Sequence, residues 1–260
     1  MNEKLRPNSF PPVVKNLIII NVLVWIAQIT LESQFQITER ISLYPVMPEQ
    51  LHDMLVKAKF YGPHEAFQPY QIATHMFAHA ALDPRGGIVF YHILFNMFAL
   101  WMFGRILENV WGPKRFLLFY FACGVGAAFC HLIIQYLRCE QLLTAALAND
   151  PSVTNLLGAA APAVGASGAI MGIFAAFGYL FPNTPLYIMF IPIPIKAKWA
   201  VIGLAAFDLF GGVANFSGDN VAHFAHLGGA ITGFIIVLIW NKTNRRKFYY
   251  LVINPNFMRS

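Results

Sequence analysis

Six runs of mostly apolar residues, each close to the roughly 20 residues a helix needs to cross a hydrocarbon core, divide this chain. They are Val13 to Leu31, Gly87 to Leu107, Phe116 to Leu137, Ala163 to Phe181, Ala197 to Phe216 and Val221 to Trp240. A bilayer offers no water to an unpaired backbone N–H or C=O, so such runs are expected to form α-helices, whose backbone bonds are internal. The expected fold is all-α, a polytopic membrane protein with a bundle of six transmembrane helices. Composition agrees, because 57% of the residues are hydrophobic and 12% are charged, about half the charge of an average soluble domain. The chain then divides into a tail at 1–12, a six-span unit at 13–240 with a long first loop at 32–86, and a basic tail at 241–260.

The connections read differently from one another. The first carries Pro45, Pro48, Pro63 and Pro69 with mixed charges, and its stretch from Pro69 to Leu82 is amphipathic enough to lie in the interface. The connection from Cys139 to Pro162 is polar and then rich in alanine, and Pro182 to Lys196, with four prolines, reads as a loop or short hairpin. Lysines and arginines favour the inner side. With the amino terminus inside, thirteen of the eighteen fall on inner segments, and the outer segments hold five with nine of the twelve acids. Both termini are expected to be cytoplasmic, and an odd number of spans would put the basic tail after Trp240 on the wrong side. The expected location is a bacterial cytoplasmic membrane. The net charge of +6 is spread along the ends of the runs, which argues against a nucleic-acid partner.

Cys123 and Cys130 lie seven residues apart in one run and read as reduced packing residues, with no metal or disulfide spacing. Cys139 is expected to be reachable from outside unless its connection buries it. The first run ends in Thr30-Leu31-Glu32-Ser33-Gln34 without a small-residue cleavage site, so it reads as retained.

Polar groups inside membrane spans are costly and mark candidate sites. Spans two, four and six all start on the outer side in this topology. By helix rise, His92 and Asn96 are expected roughly 8 and 14 Å below the start of their span, Ser167 roughly 6 Å and His226 roughly 8 Å below theirs. Of seven serines, Ser167 alone falls in an apolar run. At a helix start it would have unpaired backbone N–H groups and the positive end of the helix dipole beside it, which are the donors an oxyanion needs. Gly165 and Gly168, with Gly228, Gly229 and Gly233 in the sixth run, would allow close helix approach. Gly-x-Ser-Gly is a weak signal alone, and Ala169 stands where a nucleophile elbow would have its second glycine.

The combination of His92-Ile93-Leu94-Phe95-Asn96, Glu108-Asn109-Val110-Trp111-Gly112, Gly165-Ala166-Ser167-Gly168 and Ala225-His226-Leu227-Gly228-Gly229 resembles the rhomboid family of intramembrane serine proteases. The resemblance runs from Pro69 to Gly233. It implies a six-span core, a Ser-His dyad without a third acid, no cofactor and no metal, and single-span membrane proteins in the lipid bilayer as substrates. Ser167 would be the nucleophile and His226 the general base, with His92 and Asn96 donating to the oxyanion. Two positions depart from the pattern. Met171 stands where relatives often have a tyrosine stacked on the histidine, which leaves open what braces His226. Neither Arg40 nor Arg85 follows a tryptophan, so the family's Trp-Arg pair in the first loop is missing.

Other readings compete for the same residues. Asp208 is an intramembrane carboxylate, a third acid or a tie to a neighbouring span, and the resemblance favours the tie. A catalytically inactive rhomboid-like protein that binds membrane clients would typically lack the serine or the histidine. His75 with His79 and His223 with His226 have helical pair spacing, which raises a histidine-box di-iron membrane enzyme. No carboxylate accompanies the pairs in sequence, and His52, His64 and His131 fall in no box.

Overall fold

The computed structural model describes residues 10–62, 65–83, 85–187, 194–214 and 220–243. Lys4 and Arg6 and the basic residues beyond 243, which entered the charge count, lie outside these residues. The chain is mostly helical. Its principal helices are α1 (Pro12–Thr30), α2 (Tyr91–Trp111), α3 (Pro113–Leu147), α4 (Ser167–Leu180), α5 (Ala197–Ala214) and α6 (Asn220–Thr243). Each overlaps one apolar run. Among the described residues, Pro12–Thr30, Tyr91–Trp111, Pro113–Leu147 and His223–Lys242 are long and apolar enough to cross a bilayer. The connection after α4 holds a two-residue antiparallel ladder, Pro185–Leu186 with Ile195–Lys196.

Helix α4 is shorter than its run. It has 14 residues and begins at Ser167, not at Ala163. Gly165 has φ +126°, outside helical space, and Ala163 pairs with Leu43 through two backbone bonds of 2.9 Å. The chain therefore enters extended, and Ser167 sits at the helix end itself, not some residues below it. Irregular backbone at membrane depth requires partners within the protein. Here the Gly165 N–H donates to the His75 carbonyl at 2.9 Å, and Ala166 is fully buried.

Two connections also depart from expectation. Helix α3 runs on to Leu147, so Cys139 to Leu147 is helix, and the whole is about 52 Å long at 1.5 Å per residue. The extension is stabilised by apolar packing: Cys139 and Leu142 meet Tyr44, Leu51, Leu55 and Tyr61 of the first loop, with Ala159 and Ala160. Cys139 is accordingly buried. The stretch from Pro69 to Leu82, expected in the interface, is tucked into the protein, with Gln71, His75, Met76, Ala78 and His79 buried. It forms one helical turn at Gln71–Thr74 and a 3-10 turn at His75–Phe77, and Met76 packs where Gly124 of α3 leaves room.

The main core joins α2, α3, α4 and α6, with Phe103 edge-on to Phe174 and Phe177, and Trp111 against Phe119 and Trp240. Backbone meets backbone between α4 and α6. A Cβ on Gly229 would overlap the Gly168 carbonyl, and one on Gly233 would stand 2.6 Å from the Gly172 Cα. Helix α1 enters under a buried carboxylate, since Glu108 of α2 accepts the Val13 and Val14 N–H groups at 2.9 and 2.8 Å. Helix α5 packs chiefly on α6, with Phe207, Phe210 and Val213 exposed.

Candidate active site

Ser167 and His226 come together because α6 can approach the start of α4 on glycine. The Ser167 hydroxyl donates to His226 Nε2 at 3.0 Å. The far side of the same imidazole is also engaged. His226 Nδ1 lies 3.0 Å from Asp208 Oδ1 on α5, and His223 Nδ1 lies 2.9 Å from that same oxygen. An ionised carboxylate only accepts, so each imidazole donates its Nδ1–H. That tautomer leaves His226 Nε2 as the acceptor facing the serine.

His92, the second residue of α2, approaches from the other side. The Ala80 N–H donates to His92 Nδ1 at 3.0 Å, so in the neutral ring Nε2 carries the proton. That edge lies against Gly165, whose missing side chain leaves the space: a Cβ there would be 3.2 Å from His92 Cε1, 3.3 Å from Nε2 and 3.6 Å from Ser167 Oγ. Asn96, one turn further along, donates from Nδ2 to the His92 carbonyl at 2.8 Å. At the start of α4 the N–H groups of Ser167, Gly168 and Ala169 have no partner within the helix. A cavity of about 50 Å³ adjoins Ser167 and His226, walled also by His75, His131 and Ala127, with space for a few water molecules.

Several contributors to this arrangement escaped the sequence reading. His79 is fully buried and stands edge-on to His92 at 5.3 Å between ring centroids. Its Nε2 donates to Asn21 Oδ1 at 2.9 Å, and its backbone N–H and carbonyl are both bound by the Gln28 amide at 2.9 Å. Burial, with His92 adding to it, pushes the His79 imidazole down to about 3, so it is neutral near neutral pH. The available signal was the pair Asn21 and Gln28, polar residues two helical turns apart in an apolar run.

Among the described residues, one group of three side chains has donor atoms near enough to ligate a metal, namely Asp208, His223 and His226 within 4.8 Å of one another. These atoms already satisfy one another, and the group reads as a hydrogen-bonded chain. The other histidine pair does not join it, because His75 Nδ1 donates to the Gln71 carbonyl at 2.8 Å and His79 is held by Asn21. Among the described residues the two histidine pairs therefore do not come together as one box.

The family model of the Rhomboid domain matches residues 66–242. The chain is 29% identical over 146 residues to Rhomboid protein 1, mitochondrial, of Saccharomyces cerevisiae, a match covering 56% of this chain and 37% of that protein. It is 31% identical over 157 residues to presenilin-associated rhomboid-like protein A, mitochondrial, of Danio rerio, covering 58% and 36%. It is likewise 31% identical over 163 residues to RHOMBOID-like protein 12, mitochondrial, of Arabidopsis thaliana, covering 61% and 44%. The matched region is thus less than half the length of these relatives. All three are mitochondrial proteins by name, which overturns the expected bacterial cytoplasmic membrane. A bias of basic loops tells one side of a membrane from the other and says nothing of which membrane it is. What stands is an integral, multi-pass membrane protein, and with the Rhomboid domain matched over residues 66–242 this chain belongs to the rhomboid family.

Proposed function

We propose that this rhomboid is an intramembrane serine endopeptidase that cuts transmembrane-helix substrates near the outer end of their spans, in a mitochondrial membrane. The observation that carries the reading is the 3.0 Å hydrogen bond from Ser167 Oγ to His226 Nε2 at the amino end of a helix. A serine is a weak nucleophile until a base takes its proton. His226 removes that proton as Oγ attacks the scissile carbonyl, then gives it to the leaving amine, and water from the adjoining cavity resolves the acyl-enzyme. The developing oxyanion is met by the Ser167 N–H at the positive end of α4, by His92 Nε2–H and by the second N–H of Asn96, the first being committed to its own helix.

The substrate class follows from the setting. A site at the amino end of α4, flanked by chain that enters extended, lies closer to one face of the membrane than the other, so it would meet the end of a substrate span. A helical peptide bond is shielded by its own turn, and weak helix formers at the cut ease the local unwinding that attack requires. The six helices would all span, with both termini on the side of the basic segments. Substrate would enter beside α5, whose Trp199, Ile202, Phe207, Phe210 and Val213 are exposed. The test is incubation of the purified protein with labelled single-span proteins, the cut being located by mass spectrometry. Cleavage near the outer end of the span, lost in both Ser167→Ala and His226→Ala with folding intact, is the expected result. Cleavage by well-folded Ser167→Ala overturns the mechanism, and an intact wild-type protein that binds such clients without cutting them favours the inactive reading.

A further inference from the structure

We propose that Asp208 is a positioning residue for His226, so that the nucleophile is fully competent only while α5 is docked on α6. The proposal rests on the serine-protease reading above and adds to it a third residue carried on a different helix. Asp208 Oδ1 lies 3.0 Å from His226 Nδ1, while His226 Nε2 lies 3.0 Å from Ser167 Oγ. The three form one continuous chain of hydrogen bonds from α5 through α6 to α4. The Asp208 side chain is only 7% exposed, and a carboxylate withdrawn from water is costly unless hydrogen-bonded. Here it accepts from two imidazoles, the second being His223 at 2.9 Å. That second bond fixes the carboxylate from the same helix that bears His226.

The α5 backbone is shaped for this reach. Asp208, Gly211 and Gly212 lie three and four residues apart, on one face of the helix. A Cβ on Gly211 would stand 2.6 Å from His223 Nε2, and one on Gly212 would stand 2.9 Å from the Phe224 ring. Two side chains are thus absent where α6 presents the His223 and Phe224 rings, and the helices close enough for the short aspartate to touch His226. Met171, at the place where relatives often have a stacking tyrosine, is buried, but a thioether cannot hold an Nδ1–H as a carboxylate does. An aspartate on imidazole Nδ1 selects the tautomer that accepts the serine proton and stabilises the imidazolium that forms.

A mere tie between α5 and α6 would use the same bonds, so the test must read more than stability. The groups facing His226 are Ser167 from α4, Asp208 from α5, His223 on its own helix and His92 from α2, with His131 of α3 and His75 of the first loop on the wall of the same cavity. Asp208→Asn keeps the size and one acceptor but loses the charge and the tautomer preference. It should lower kcat by roughly 100-fold or more with KM nearly unchanged. Labelling of Ser167 by a fluorophosphonate should slow in parallel, and the acid limb of the kcat/KM profile should move to lower pH. Gly211→Ala keeps the Asp208 carboxylate but sets a methyl 2.6 Å from His223 Nε2 and so presses α5 away from α6; it should show the same loss of kcat and covers the case in which Asp208→Asn fails to fold. Folded Asp208→Asn within about threefold of wild type with an unmoved pH profile, or Gly211→Ala that cleaves spanning substrates faster, overturns the proposal and leaves the Ser-His reading intact. A wild-type protein inert towards both substrate and probe overturns the two together.

Discussion

Replacing Gly165 with alanine probes the threading that delivers Ser167 to the site. At φ +126° a residue with a Cβ carries about 1–3 kcal/mol of backbone strain. The new methyl would also press on the imidazole proposed to meet the oxyanion, 3.2 Å from His92 Cε1 and 3.3 Å from Nε2, whereas carbon contacts settle near 3.5–4.0 Å. The ring must give by a few tenths of an ångström, yet it is held by the Ala80 N–H at 3.0 Å and flanked by His79. Full loss of one oxyanion donor costs roughly 100- to 1,000-fold in kcat, so partial displacement should cost about tenfold or more, with KM little changed. The assay is cleavage of a single-span substrate in proteoliposomes, paired with thermal unfolding. Gly86→Ala is the control: its φ is +79° but nothing lies within 4 Å of an added Cβ, so it should show backbone strain of about 1–2 kcal/mol and an unchanged kcat. Wild-type kcat and unfolding temperature in Gly165→Ala would refute both the threading and the place given to His92.

Glu108→Ala removes the acceptor of two N–H groups at the start of α1 and should destabilise the protein by about 2–5 kcal/mol, seen as a lower unfolding temperature; an unmoved transition would contradict the capping role. Asn96→Ala should lower kcat by roughly 10- to 1,000-fold and barely move KM, whereas an effect on KM alone assigns Asn96 to substrate binding. Joining α5 to α2 through engineered cysteine pairs should slow cleavage of spanning substrates while sparing the reaction of Ser167 with a small probe. A normal rate in the crosslinked protein would exclude entry beside α5.

The helices were legible because a bilayer-length apolar run has few solutions, and all six principal helices fall on the runs read from composition. The run pattern is blind to what stops a helix or prolongs it. Gly165 delays the start of α4 through a conformation that apolar content does not encode, and α3 outlasts its run because Cys139 and Leu142 find Tyr44, Leu51, Leu55 and Tyr61 far away in sequence. Polar residues in spans announced that they needed partners but not which ones. Ser167 and His226 could be paired by shared depth and opposed glycines. Asp208 was visible as a buried carboxylate, but its contact with His226 depends on which face of α5 docks, and that is decided by Gly211 and Gly212. The burial of the stretch from Pro69 to Leu82 went unread because its Gln71, His75 and His79 look like a wet face until the atoms that satisfy them are known.

In the proposed mechanism His226 activates Ser167. Fluorophosphonate treatment of the purified protein, with the adduct mapped by peptide mass spectrometry, reads that activation at the nucleophile itself, because seven serines compete and, among the described residues, Ser167 is the one bonded to His226 Nε2. A single adduct on Ser167 is expected in the wild-type protein and none in folded His226→Ala. An adduct on another serine, or equal labelling of Ser167 without the histidine, would contradict it.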